Sequence, residues 1–214
     1  MGVAPALVES FDMTTATLSP AECRALFPDA MTLREARSIY FERSGFSDKT
    51  YTDTFVRLPV GPIAIVLPNF PARRRAVKVH DLDHTLTGYG SDWTGEVEIS
   101  GFELGMGHGP YWVGYFINAG GLMIGLLRAP RRAIRAYARG RATRRSLYDV
   151  FAVWDDALLQ QTLGQLRADV GLVDEVPVTA RDVAGALLWG LAGAVVQLGP
   201  LLAFAAGIAL ALRG

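Results

Sequence analysis

Apolar and polar residues change rhythm several times along this chain, and each rhythm predicts an element. Residues 1–19 hold Pro5, several threonines and Ser19-Pro20 with little helical pattern, so they read as a flexible lead. Short helices are expected over residues 20–27 and 32–43. The run TFVRLPVGPIAIVLPNF, apolar on both sides of Pro59 to Pro62, predicts a small hairpin turning at those prolines. A helical pattern then runs through His84 until Gly88 and Gly90 break it, and Ser91 or Asp92 can cap the start of a second helix. From residue 146 to 172, Leu147, Phe151, Trp154, Leu158, Leu159, Thr162 and Leu166 recur at helical spacing, which predicts one amphipathic helix over a core. The fold class expected is mainly α, with a small β-hairpin and a hydrophobic C-terminal helical segment.

Two stretches lack charge altogether. Residues 183–212 form thirty positions with Gln197 as the single large polar side chain. As one helix they would reach about 45 Å, beyond the roughly 30 Å hydrocarbon core of a bilayer. Gly199-Pro200 should kink or divide that helix, so a tilted or kinked membrane anchor is expected. The second stretch, PYWVGYFINAGGLMIGLL over residues 110–127, just reaches spanning length. It is read as a core helix, because a crossing there would separate the next segment from the helices before it. Its glycines 114, 120, 121 and 125 would serve close helix packing in preference to leaving room for a lipid tail.

Charge changes the picture at one place. The chain has 21 basic and 21 acidic residues, which argues against nucleic acid as its main partner. Yet RAPRRAIRAYARGRATRR, residues 128–145, carries eight arginines and no acid. On a helix, Ala133, Ile134, Tyr137 and Ala138 would make a narrow apolar strip among guanidinium groups, as expected on an anionic membrane surface. This excess precedes the C-terminal segment and would keep the domain on the cytoplasmic side, or the matrix side in a mitochondrion. The beginning of the chain lacks an apolar signal core or an Arg-rich transit pattern, so neither export nor import is expected. Cys23 is the single cysteine and can form no internal disulfide, consistent with a reducing compartment.

The chemistry concentrates in VHDLDHTLTGYGSDWTGE. His80 and His84 are four residues apart, so on a helix both imidazoles point the same way, with Asp81 flanking them as the i, i+3 neighbour of His84. If the next helix packs back around the glycine turn, Glu96 faces the histidines. Two imidazoles with one or two carboxylates make an open, reactive metal site, since structural zinc sites usually close with cysteines. Asp83 is read as a solvated group or one that orients a histidine. Glu103, seven residues beyond Glu96 and on the same helix face, is the candidate catalytic acid or proton relay. His108, in GMGHGP, reads as a loop residue. A zinc-protease helix would need glutamate where Asp81 stands, and neither a P-loop nor a dinucleotide fingerprint is present.

The pattern His-Asp-x-x-His, eleven intervening residues, then Glu is met by His80, Asp81, His84 and Glu96. With its flanking text HTLTGYGSDWTGE and EVEISGFELG, it resembles the metal motif of the coenzyme Q (ubiquinone) biosynthesis protein 4 family. The likeness is strongest over residues 69–107 and faint before residue 50. It implies a mainly helical protein whose divalent metal, held by His80, Asp81, His84 and Glu96, lies beside a lipid-binding cavity. It further implies a part in the C1 step of ubiquinone assembly, in which a polyprenylated hydroxybenzoate precursor loses its ring carboxyl and gains a hydroxyl.

Together these readings divide the chain into a lead over residues 1–19, a helical metal- and lipid-binding domain over 20–172, and a membrane-associated segment over 183–212. The expected activity is metal-dependent oxidative decarboxylation of a polyprenylated aromatic at the membrane, of the lyase or oxidoreductase type. Oxygen chemistry favours iron, and zinc suits the same ligands. The alternative is a non-catalytic metal- and lipid-binding scaffold that organises a quinone or lipid biosynthetic complex. Expected partners are a prenylated or isoprenoid lipid, the membrane, other quinone-biosynthesis enzymes and a second copy of the chain as a homo-oligomer.

Overall fold

The computed structural model describes residues 17–60, 63–150 and 154–211. The chain is mainly helical, as its patterning predicts. Helix α1 (Pro20–Leu26) and helix α2 (Leu33–Ser44) begin at Ser19 and Thr32, each closing a capping box with Glu22 or Glu35. A short α3 (Lys49–Thr52) follows. Strands β1 (Phe55–Val60) and β2 (Ile63–Pro68) pair antiparallel from Phe55 opposite Pro68 to Val60 opposite Ile63. Pairing therefore continues past Pro59, and residues 61–62 of the expected turn lie outside the described residues.

Four long helices and their neighbours position the site. Helix α4 (Pro71–Thr87) starts with proline in its first turn and stops at Gly88, whose φ of 77° is the left-handed end a side chain disfavours. Asp92 caps α5 (Trp93–Met106) by accepting from the Gly95 N–H at 2.7 Å. Helix α6 (Trp112–Arg128) and helix α7 (Pro130–Ala142) complete a bundle with α5. Residues 110–127 are thus a packed helix, as expected, and their glycines are spent on proximity. A Cβ at Gly121 would collide with Ser100 Oγ, one at Gly114 with the His108 ring, and one at Gly120 with the Gln197 amide.

Three expectations need correction. Residues 146–172 are not one helix: their described residues form three short ones, α8 (Leu147–Val150), α9 (Asp156–Leu159) and α10 (Leu163–Val170). Asp155 and Thr162 accept hydrogen bonds from Leu158 and Gln165 backbone N–H groups and so start new helices inside the expected one. Leu147, Leu158, Leu159, Leu163 and Leu166 are nonetheless buried together with α1, α2 and α4; Phe151 lies outside the described residues. The arginine-rich segment does not offer its apolar strip to the surface, because Ala133 and Tyr137 are buried under α5 and the last helix and Ala138 is buried too. Arg139, itself buried, donates to the Thr87 and Val173 carbonyls and lies over the Tyr89 and Phe102 rings, tying the end of α4 to α7. Finally, the lead is not free up to residue 19: the Leu18 N–H donates to the Gly88 carbonyl at 2.8 Å, and the Thr17 hydroxyl donates to Glu98.

The last helix, α11 (Ala180–Ala211), runs unbroken through Pro200, so proline does not divide it. Its inner face is small: Ala186, Gly190 and Gly193 are buried, and a Cβ at Gly193 would collide with the Ala119 carbonyl of α6. Trp189 stacks on Tyr115, and Gln197 donates to the Phe116 carbonyl at 2.9 Å. The outer face carries Leu187, Leu188, Leu191, Val195, Leu202 and Phe204, all exposed. Among the described residues, this is the one helix long and apolar enough to cross a membrane, over residues Ala180–Phe204.

Candidate metal centre

Helix α4 delivers His80 and His84 from successive turns, and α5 returns past them so that Glu96 meets His84 and Glu103 meets His80. Glu96 reaches both rings and Glu103 the earlier one, His80, which is the order of antiparallel neighbours around the glycine turn. The two Nε2 atoms stand 3.1 Å apart. The Glu96 oxygens lie 3.4 Å from His80 Nε2 and 3.6 Å from His84 Nε2. One ligand atom from each of the three residues falls within 4.8 Å of the others, a group able to hold a metal ion.

The outer nitrogens explain why these inner ones are available. His84 Nδ1 donates to the Tyr89 carbonyl at 3.0 Å and His80 Nδ1 donates to Glu103 Oε1 at 2.8 Å. With both Nδ1 positions engaged by acceptors, each ring turns its Nε2 inward, and a metal would bind there with release of any proton that His80 carries. The donor set therefore fits a divalent metal on geometry and on chemistry. His84 is sealed, its side chain 1 % exposed, and stacks on Tyr40, whereas His80 and Glu96 are 21 % and 39 % exposed.

The other expected residues are distributed differently. Asp81 stands outside the three-residue group: it is buried and accepts the Tyr51 hydroxyl at 2.6 Å. A helix turns about 100° per residue, so the neighbour of His80 faces α3 when His80 faces α5. Burial pushes the Asp81 carboxyl up to about 7, although His80 and the Tyr51 hydroxyl pull the other way. Asp83 is not solvated. It is fully buried, with no hydrogen-bond donor on either oxygen among the described residues, and burial together with the nearby Glu103 charge raises its pKa well above the carboxylate range. Glu103 is buried as well, its side chain 1 % exposed.

Glu103 is the hub of a polar chain that leads inward. Besides His80 it accepts from Asn118 Nδ2 at 2.6 Å, and the same amide lies 2.8 Å from His108 Nε2. His108 does sit in the turn after α5, but it is fully buried against Tyr115 and Tyr148. Burial favours the neutral carboxyl, but His80, His108 and Asn118 outweigh it and hold Glu103 below the usual range. Burial likewise opposes charge on His80, yet Glu103 and Glu96 outweigh it and lift that imidazole well above its ordinary value. His84 moves down, by burial first and then by the His80 charge. Tyr51, Tyr89, His108 and Asn118 were not expected at the centre. Asn118, alone among apolar neighbours in its helix, carried the one readable signal.

The fold and this centre define a class no finer than a mainly helical protein with a His-His-Glu group and one long apolar helix. No protein-family model, curated protein or solved structure matches the chain.

Proposed function

We propose that this is a membrane-attached metal protein of quinone biosynthesis, similar to the coenzyme Q biosynthesis protein 4 family, that decarboxylates and hydroxylates C1 of a polyprenylated aromatic precursor. The observation that carries this reading is the convergence of His80, His84 and Glu96 with their Nε2 atoms oriented from outside. These three residues would hold zinc or iron, and the bound metal would supply a Lewis acid for the ring carboxylate or phenolate. Glu103 steadies His80, and Tyr40 and the Tyr89 carbonyl steady His84. The exposed edge formed by His80 and Glu96 is where a ring would enter. Helix α11 supports attachment to the lipid in which such a precursor dissolves, and the arginines before it favour the cytoplasmic or matrix face.

The test is elemental analysis of the purified protein, followed by incubation with a polyprenylated hydroxybenzoate under dioxygen and mass spectrometry of the product. Loss of carbon dioxide, gain of oxygen and abolition of both by His84→Ala are expected. A metal-free native protein, or undiminished turnover in that variant, sinks the proposal. A scaffold is the second reading, favoured by ligands that come from two helices and so could staple α4 to α5. It predicts that His84→Ala lowers thermal stability and lipid retention while no turnover is found in any form.

A further inference from the structure

Away from the metal centre, the last turns of α7 and the first turns of α11 enclose an open groove of about 330 Å³, lined by Tyr137, Arg141, Arg181, Ala184, Gly185 and Leu188. We propose that this groove binds the phosphate of an anionic phospholipid, with one acyl chain lying along α11; the inference rests on the membrane attachment argued above.

The groove is polar at one end and apolar at the other. Arg141 and Arg181 bring two guanidinium groups, whose planar forks suit phosphate oxygens. One carboxylate opposes them. Asp182 accepts from Arg141 Nη1 at 2.8 Å with one oxygen and from the Thr179 N–H and hydroxyl with the other, so its charge is already committed. The balance of these three groups is positive by one. Gly185 makes the floor, since a Cβ there would lie 2.6 Å from the Tyr137 hydroxyl, which is thereby left at the groove wall.

From the arginines an apolar stripe leads away. Ala184, Leu188, Leu191 and Val195 follow one another at spacings of four, three and four along α11, and all are exposed. That periodicity keeps them on one face. Arg181 and Leu188 are seven residues apart, about 10 Å of helix. Charge and apolar surface therefore follow one another along the exposed face of α11 in the order of a lipid's headgroup and chain. A free phosphate would use the arginines and leave the stripe unused.

The full chain, purified in detergent, is titrated with phosphatidylglycerol, with phosphatidylcholine of the same chains, and with inorganic phosphate, and adducts are read by native mass spectrometry. One phosphatidylglycerol per chain is expected, held at least about 5-fold better than phosphatidylcholine. Arg181→Ala should lower that retention about 10-fold and Arg181→Lys should restore part of it, while Arg131→Ala, an exposed arginine at the other end of α7, should change nothing. Arg181→Ala leaves the Arg141 to Asp182 pair intact, so a folding defect is not expected. Equal retention of the two lipids, indifference to Arg181→Ala, or inorganic phosphate displacing the lipid at equal concentration overturns the inference. Alkaline carbonate extraction of cell membranes separates the two ideas. Release of the protein defeats the membrane reading itself, whereas a retained protein without a lipid adduct defeats this inference alone.

Discussion

Glu103 holds His80 with one oxygen and Asn118 with the other, so its loss frees the His80 ring without removing it from the three-residue group. Glu103→Ala is expected to weaken zinc binding by about 10- to 100-fold in competition with a fluorescent chelator, with Glu103→Gln recovering much of it because the amide oxygen still accepts from His80 Nδ1. Equal affinity in all three proteins would show that the carboxylate has no positioning role. Cys23 gives a second check at this scale. Burial raises its thiol above the ordinary value, against the pull of Arg167, and it packs beneath the Gly88 turn. Iodoacetamide at pH 8.5 should therefore label the folded protein at least about 10-fold more slowly than the denatured one. His80, His84 and Glu96 were legible in the sequence because helical spacing and a glycine turn decide where they point. Asp81 was not, since its partner Tyr51 lies thirty residues away and nothing local reveals which side of α4 that tyrosine covers.

Helix α5 and helix α7 touch through their backbones. A Cβ at Gly140 would collide with the Phe102 carbonyl, and one at Gly105 with the Tyr137 carbonyl. Gly140→Ala should cost about 1–3 kcal/mol in thermal or denaturant unfolding, because α7 must lift away from the helix that carries Glu96 and Glu103. An unchanged midpoint would show that the two helices have slack between them. The arginine run shows why such contacts escape a sequence reading: apolar periodicity identifies a buried face but not what buries it. Ala133 and Tyr137 fit a membrane surface and an intramolecular seam equally well, and two of the three glycines that decide for the seam, Gly101 and Gly105, lie on α5, outside the arginine run. Residues 146–172 escaped for a different reason. Leucines at helical spacing outvoted Asp155 and Thr162, two caps that a single sequence presents as ordinary polar positions.

For the whole molecule the metal should act as a ligand of the folded state alone. Zinc at about one hundred times its dissociation constant is expected to raise stability by about 2.7 kcal/mol, reversed by a chelator and absent in His84→Ala. A melting temperature indifferent to zinc would mean that the three side chains do not bind it in the folded protein. The mainly helical class and the long apolar C-terminal helix were readable from composition and rhythm alone, while the way that helix lies against the rest was not. Gly193 rests on the Ala119 carbonyl, and the next residue back, Asn118, grips Glu103 and through it His80. Within a bilayer, α11 would be less a tether than a lever whose short arm ends at an imidazole. A push on α11 would reach that ring through the Ala119 carbonyl, the Asn118 amide and one carboxylate, so strain in the anchor would be felt at the centre.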